Sequence, residues 1–292
     1  MCILCDPSRL EEARALRYID CPPCTTLTRI PDGLDRLRAL NIWDCPGLVA
    51  FPESMPNLER LDVRRCARLD RLPAQLPKLT HLTCRSNPHM DRLPESMPLL
   101  RLLEVTFMPL RHLPPVLPNL LQLHIEDCPA LRATLANYPL LGHLKCSILF
   151  DEIESIKTRL TWLECRGVDR LPDGMTNLET LSVFKSPRFT LPTGLTGVRH
   201  LFIRDCDHIT VLPPDLDPTL LIRVGFPIWI RHPLNARYHA SHLDKLCTLQ
   251  RYVRLRRFVR LTSSLAFNEH FFSPDQPGER WALARLAKRV SK

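Results

Sequence analysis

A unit of about 21 residues recurs along most of this 292-residue chain, and it constrains the fold more than any other feature. Three clear copies are PESMPNLERLDVRRCARLDRL (52–72), PAQLPKLTHLTCRSNPHMDRL (73–93) and PTGLTGVRHLFIRDCDHITVL (192–212). With the first proline counted as position 0, apolar residues occupy positions 3, 6, 9, 11, 17 and 20, and Cys or Asn occupies position 14. Such a repeat predicts a linear stack of similar units, each of which contacts its neighbours.

The register can be followed from residue 10 to residue 228 as about ten to eleven repeats, and it is weakest at 147–160. The repeats begin at Leu10, Pro31, Pro52, Pro73, Pro94, Pro114, Leu135, near Glu154, and at Pro172, Pro192 and Pro213. The sequence therefore predicts three parts: an N-terminal lead (1–9), the repeat array (10–228) and a basic helical C-terminal region (229–292).

Each repeat predicts one short β-strand and an extended return segment. Leu61 and Val63 alternate with Arg60, Asp62 and Arg64, which is the period of a strand with one buried face. Prolines at position 0, and often at position 4, leave little room for a helix in the return segment. We therefore expect an extended, polyproline-like backbone there.

The order L-x-x-L-x-[L/V/I/C]-x-x-[N/C]-x-L in these units resembles the core of leucine-rich repeats. The resemblance implies a solenoid of the α/β class, made of short parallel strands and extended convex segments. The short repeats, each closed by Leu-Pro, are most similar to those of secreted bacterial effectors, and they also resemble repeats of plant immune receptors and of large-DNA-virus proteins. This fold hosts many activities, so the resemblance implies a fold more than a function.

In leucine-rich repeats the residue at position 14 turns inward and bonds the backbone of adjacent coils. Asn87 is well suited to that role in this sequence. Cys45, Cys66, Cys128 and Cys206 are weaker hydrogen-bond partners that also pack as small apolar groups.

Two Cys-x-x-Cys pairs, Cys2 with Cys5 and Cys21 with Cys24, are separated by 15 residues, a spacing typical of a zinc site. The register accounts for the second pair without a metal. Position 11 holds Cys21, Cys84, Cys146 and Cys165, and position 14 holds Cys24, Cys45, Cys66, Cys128 and Cys206. The sequence thus predicts inward-packed thiols, no metal site and no cofactor. A zinc site remains as the alternative if Cys2 and Cys5 reach the first repeat.

A short amphipathic helix is expected between the two cysteine pairs. Ser8 and Glu11 have the spacing of a capping box, in which each side chain bonds the other residue's backbone N–H. We expect this helix to cover the open edge of the first repeat.

Positions 8, 10, 12 and 13 are predicted to face outward on the concave side of the array. Position 12 holds Trp43, Arg64, Arg85, Thr106, Glu126, Ser147, Arg166, Phe184 and Arg204, and position 10 holds Asp20, Asn41, Asp62, Thr83, Glu104, His124, Lys145, Glu164, Ser182 and Phe202. Exposed aromatic residues and arginines are typical anchors of protein interfaces. The residues expected to bind a protein partner are Trp43, Arg64, Arg65, Arg85, Phe107, Trp162, Phe184, His200, Phe202 and Arg204.

Two subsites are expected on that face: a cationic one at Arg64, Arg65 and Arg85, and an aromatic one at Phe184 and Phe202 with His200. The alternative for the aromatic residues is that they pack against neighbouring strands as cross-strand pairs.

The positive charge of the chain is concentrated at its C-terminal end. Residues 229–292 hold 13 Lys/Arg and 4 Asp/Glu, a net +9, whereas residues 1–228 hold 27 of each. Residues 239–267 lack Pro and Gly and predict a long helix that caps the last repeat, and 279–290 predict a second helix. Five arginines lie in the first helix: Arg251, Arg254, Arg256, Arg257 and Arg260.

Three interpretations of this basic helix remain open. In the first, the helix is a solvated cap. In the second, it contacts an anionic partner, which is nucleic acid, an acidic protein or a membrane surface. In the third, it is a calmodulin-binding segment. Leu249-Gln250 followed by Arg254 resembles the calmodulin-binding IQ motif, but Leu255 stands where Gly is usual and Val259 where a basic residue is expected.

The sequence gives no support to catalysis. Within the repeats the histidines lack His-x-x-His and Glu-x-x-His spacing, and neither a Gly-rich phosphate loop nor Gly-x-Ser-x-Gly is present. Bacterial effectors with similar repeats often carry a helical ubiquitin-ligase domain with a Cys-x-Asp nucleophile, but none of the 12 cysteines is followed by x-Asp. We therefore expect a non-enzymatic protein scaffold.

The composition also bears on location. No apolar run approaches the roughly 18 residues that a membrane-spanning helix needs, and the first residues do not resemble a secretory signal. We expect an intracellular protein of cytoplasm or nucleus with reduced cysteines, including the case of delivery into a host cell. The sequence indicates neither an oligomeric state nor a particular partner.

Overall fold

The computed structural model describes residues 2–132, 134–147, 153–204, 206 and 221–225 of the chain. The chain divides into two compact units, Met1–Cys165 and Arg166–Lys292. The strands of the first unit are β1 (Tyr18–Cys21), β2 (Ala39–Trp43), β3 (Arg60–Arg64), β4 (His81–Arg85), β5 (Leu102–Thr106), β6 (Gln122–Glu126), β7 (His143–Cys146) and β8 (Trp162–Arg166, whose last residue lies at the boundary). Those of the second unit are β9 (Thr180–Phe184), β10 (His200–Arg204) and β11 (Leu221–Gly225).

Each of these strands begins at position 8 of its repeat, so the register predicted from the sequence is confirmed. The confirmation includes the degenerate repeat near Glu154, whose strand begins at Trp162. Within each unit, consecutive strands pair in parallel, and equivalent positions of neighbouring repeats lie side by side. For example, Arg60 pairs with His81 and Leu61 pairs with Leu82.

The interior of each unit is filled by the apolar positions of the repeat. β3, with alternating exposed and buried residues, buries Leu61 and Val63 and leaves Arg60 and Arg64 exposed. All nine cysteines at positions 11 and 14 are buried: Cys21, Cys24, Cys45, Cys66, Cys84, Cys128, Cys146, Cys165 and Cys206. Their predicted inward packing is confirmed.

A left-handed residue follows the strand in seven of the described repeats. Position 13 has positive φ in Asp44, Arg65, Ser86, Phe107, Asp127, Gly167 and Lys185. Residues with a side chain pay roughly 1 kcal/mol for this conformation. The backbone N–H groups of several of them extend the ladder to the next repeat, as Arg65 N–H does to the Arg85 carbonyl. This backbone conformation directs the side chain at position 14 into the core.

Asn87 binds the preceding repeat as the sequence predicted. Its side-chain amide donates to the carbonyl of Val63 at 3.0 Å, and its side-chain oxygen accepts from the N–H of Cys66 at 2.9 Å. The cysteine at the same position of another repeat, Cys128, makes one weak contact with its preceding repeat, from its Sγ to the Val105 carbonyl at 3.6 Å. Asn87 is therefore a stronger link between repeats than the cysteines.

Two return segments are α-helical: the first was expected to hold a short helix, and the second was expected to be extended. Helix α1 (Leu10–Ala15) lies in the first repeat, and α2 (Ile153–Ile156) lies at the start of the degenerate repeat. Neither segment contains the prolines that occupy positions 0 and 4 of most other repeats. Because proline blocks the helical hydrogen bond, its absence permits these helical turns.

The capping box predicted at Ser8 and Glu11 is wrong. A 3-10 turn, Pro7–Arg9, precedes α1, and Asp6 caps it by accepting from the backbone N–H of Ser8 at 3.0 Å. Pro7 occupies the first helical position, where its missing N–H costs nothing, and this moves the cap two residues upstream.

Candidate functional site

The exposed side of strands β2 to β6 carries five of the ten predicted binding residues. We call this side the strand face. It consists of the side chains at positions 8, 10 and 12 of these strands and of the residue at position 13 that follows each strand. Since side chains alternate along a strand, the leucines at position 9 and the residues at position 11 point into the core, and the polar set is left on the opposite side.

Four arginines form a basic band on β3 and β4: Arg60, Arg64, Arg65 and Arg85, all of them exposed. Arg60, a position 8 residue, thus lies beside the predicted cationic subsite but is not one of its predicted members. Arg64 is held by Asp62 of its own strand through two bonds of 2.7 and 2.6 Å, and Arg65 reaches Asp44 of the preceding repeat at 2.7 Å. These ion pairs fix the orientation of both guanidinium groups and reduce their net charge.

An acidic band follows on β5 and β6, made of Glu104, Glu126 and Asp127. His124 lies between the two glutamates, 3.7 Å from a carboxylate oxygen of each. Its hydrogen bond and its charge lower the pKa of Glu104, against the opposing effect of burial. The strand face is therefore bipolar, with the two bands on consecutive pairs of strands.

A hollow of about 310 Å3 lies beside the basic band. It is lined by Asp20, Asn41, Ile42, Trp43, Asp62, Arg64 and Arg65. The Trp43 side chain is 39% exposed, and Tyr18 nearby accepts a hydrogen bond of 2.9 Å from Asn41. An exposed indole next to fixed charges can bury apolar area against a partner and give it an orientation.

Other aromatic residues of the first unit pack against their neighbours, as the alternative interpretation of the sequence allowed. The guanidinium of Arg85 lies over the ring of Phe107, 5.7 Å from its centre, and Phe107 remains 46% exposed. Trp162 is half-buried and stacks on His143 with a centroid separation of 6.2 Å. Trp162 therefore offers less free surface than Trp43 or Phe107.

Two residues expected on the outward side are buried instead. Thr106 is 1% exposed and lies between Arg85 and Glu126 in the sheet register. Ser182 of the second unit is also buried, directly opposite Phe202. In both cases a short side chain is covered by longer cross-strand neighbours, which the repeat pattern alone does not reveal.

The second unit contains the residues of the predicted aromatic subsite. His200 stacks on Phe202 of the same strand at 6.5 Å, and Phe184 lies on the neighbouring strand, diagonal to Phe202. Both phenylalanines are half-buried and His200 is exposed. Arg204 ends β10, and its side chain lies outside the described part of the chain, as do Arg251, Arg254, Arg256, Arg257 and Arg260 of the predicted basic helix.

The N-terminal cysteines form a third cluster. The thiols of Cys2, Cys5 and Cys24 all lie within 4.8 Å of one another, with Cys5 and Cys24 at 3.6 Å. Burial opposes ionisation of Cys24, but hydrogen bonds from the side chain and backbone of Thr26 and from Cys5 outweigh it and lower the pKa of this thiol to about 6. The sequence placed Cys24 in the core and left the role of Cys2 and Cys5 open.

The geometry of the repeats shows the fold. A strand of four or five residues from position 8, a left-handed residue at position 13 and an inward residue at position 14 recur in step with the leucine pattern. The fold is that of leucine-rich repeats. No protein-family model and no curated protein sequence matches the chain. Among solved structures, it is similar to the leucine-rich repeat domain of the type III effector XopL, at 24% identity over 77% of this chain and 80% of that one, with a TM-score of 0.44.

The described part of the chain contains no helix long and apolar enough to cross a membrane.

Proposed function

We propose that this protein is a non-enzymatic scaffold that recognises a protein partner through the strand face, the side predicted to be concave. Leucine-rich repeat solenoids present an extended strand surface of this kind, and protein binding is their general use. We propose an intracellular location, in cytoplasm or nucleus and including that of a host cell, where the buried thiols would stay reduced.

The observation that carries the proposal is the bipolar strand face beside an exposed tryptophan. The four arginines of the basic band, taken with their partners Asp62 and Asp44, have a net charge of +2, and the acidic band of Glu104, Glu126 and Asp127 has a net charge of −3. A partner with acidic groups followed by basic groups, spaced as the bands are, would meet complementary charge on both. Such complementarity fixes orientation and excludes partners of the wrong polarity.

Trp43 supplies the apolar part of the proposed contact. Its indole borders the hollow next to Arg64 and Arg65, whose guanidinium groups are already oriented by Asp62 and Asp44. Pre-oriented charges lose less conformational entropy on binding than free ones do. We therefore expect the hollow to be the anchor point and the two bands to set the register of the partner.

Affinity capture with the full chain tests this proposal. A protein retained by the wild type should bind about 30-fold more weakly to Trp43→Ala and to Arg85→Glu, because interface anchors are each worth about 2 kcal/mol or more. Val49→Ala and Arg68→Glu are the matched controls, since both residues are exposed but lie outside the strand face. Equal loss of binding in the controls, or none in the strand-face variants, would contradict the proposal.

The second candidate function is a tether to an anionic partner through the basic C-terminal region. It is favoured by the net +9 of residues 229–292. If the five arginines from Arg251 to Arg260 contact phosphates, the affinity for a nucleic-acid duplex should fall steeply with salt, with a slope of up to about 4 to 5 in log–log form. Reversing the five charges should abolish that slope, whereas a salt-independent affinity would exclude the tether.

A further inference from the structure

We propose that the N-terminal cysteine cluster is a zinc site, with Cys2, Cys5 and Cys24 as thiolate ligands of one Zn2+ ion. This inference is independent of the proposed partner surface. It takes up the alternative that the spacing of the two Cys-x-x-Cys pairs left open, since Cys2 and Cys5 do reach the first repeat in the structure.

The geometry of the three thiols fits a tetrahedral metal. A Zn–S bond is about 2.3 Å, so two sulfurs bound to one tetrahedral zinc lie about 3.8 Å apart. Cys5 and Cys24 are separated by 3.6 Å, and all three sulfurs lie within 4.8 Å of one another. Small side-chain rotations are enough to bring all three to equal distance from a common centre.

The surroundings of the cluster are also suitable. Cys2 and Cys24 are buried and Cys5 is part-exposed, so the site is shielded from water but keeps a path for the ion to enter. Thr26 donates to the sulfur of Cys5 at 3.4 Å and lies 3.2 Å from that of Cys24. A hydroxyl that bonds metal-bound thiolates is a typical outer-shell partner, because it orients the ligands and compensates their charge.

Cys21 is assigned to the fourth position. Its thiol is buried, interacts with the thiol of Cys2 and lies 4.0 Å from that of Cys45. It is not within ligand distance of all three other sulfurs, so binding requires its side chain to turn from Cys45 toward the cluster. Each thiol that binds releases its proton to solvent, and the ion remains Zn2+ throughout.

The packing role of Cys24 does not compete with this assignment. Among the cysteines at position 14, Cys66 and Cys128 have sulfurs that contact backbone carbonyls. The sulfur of Cys24 instead contacts Cys5 and Thr26. Position 14 of the first repeat is thus directed at the lead (1–9).

Zinc content of the full chain, purified under a non-chelating reductant, tests the proposal. We expect about one zinc per chain in the wild type, and tetrahedral thiolate absorption bands after replacement by Co2+. Cys5→Ser should weaken zinc binding at least about 100-fold, more than the loss of an outer-shell partner does. Because Cys5 is part-exposed, this variant should keep the circular dichroism spectrum of the wild type.

Cys66→Ser is the matched control, since Cys66 occupies the same position of the repeat two coils later. It should retain full zinc content. In Cys21→Ser the sulfur-to-cobalt charge-transfer band should lose the intensity that one thiolate ligand contributes. An unchanged intensity would show that Cys21 is not a ligand. Zinc-free wild-type protein that also fails to bind added Zn2+ or Co2+, or equal zinc content in Cys5→Ser and the wild type, would overturn the proposal.

Discussion

Replacing Asn87 with alanine is expected to lower the free energy of unfolding by about 3 kcal/mol, because it leaves two buried backbone groups without a partner. The side chain of Asn87 is fully buried and bonds the Val63 carbonyl and the Cys66 N–H, both in the preceding repeat. Each buried group that loses its hydrogen bond costs about 1–3 kcal/mol. Urea denaturation followed by circular dichroism measures the change.

Two variants make this result specific. Asn87→Cys introduces the residue that other repeats use at position 14, and we expect it to cost about half as much, since a thiol bonds backbone only weakly. Asn57→Ala removes two surface bonds, the one of 2.8 Å that Asn57 donates to the Asp35 carbonyl and the one of 2.7 Å that it accepts from Lys78. Water replaces both, and the change should cost less than about 1 kcal/mol. Equal losses for Asn57→Ala and Asn87→Ala would contradict the assigned role of the buried amide.

Gly194→Ala is the second substitution with a large expected effect, about 3 kcal/mol. Gly194 has φ of +77°, and a Cβ there would lie 2.7 Å from the Cα and 2.8 Å from the backbone nitrogen of Gly174. The left-handed conformation costs about 1 kcal/mol for alanine, and overpacking against a rigid backbone adds about 1–3 kcal/mol.

Gly174→Ala separates the two contributions to that cost. Gly174 has nearly the same conformation, with φ of +78°, but a Cβ at this position meets nothing within 4 Å. We expect it to lose only the conformational part, about 1 kcal/mol. If Gly174→Ala and Gly194→Ala were equally destabilised in urea, the close approach of the two repeats at this position would be wrong.

The strand positions could be predicted from the sequence because the leucine spacing is strict and one residue of slip would reverse every side chain. For that reason even the degenerate repeat has its strand where the register places it, at Trp162. The inward packing of Cys66 and the bonds of Asn87 follow from the same register.

Local departures from the repeat were harder to predict from the sequence than the strand positions. The helical turn at Ile153–Ile156 depends on the absence of proline, which the pattern of the other repeats conceals. The N-cap at Asp6 competes with an equally plausible capping box at Ser8, and only the position of Pro7 in the turn decides between them.

Contacts between repeats could be predicted least of all. The sequence placed Arg65 on the outward side, but its ion pair with Asp44 joins residues 21 positions apart and depends on how their side chains turn. The burial of Thr106 has a similar origin, in the length of its cross-strand neighbours. The cysteine cluster could not be predicted from the repeat register, because residues 2–5 precede the first repeat and the register does not place them.

The central claim is that the strand face binds the partner, and site-specific photo-crosslinking tests it most directly. A benzophenone side chain would replace Thr83, at position 10 of β4 between the two bands, or Arg68, which is exposed outside the strand face. We predict that the captured partner cross-links to the chain labelled at residue 83 and not to the chain labelled at residue 68. Cross-linking from residue 68 with none from residue 83 would contradict the claim.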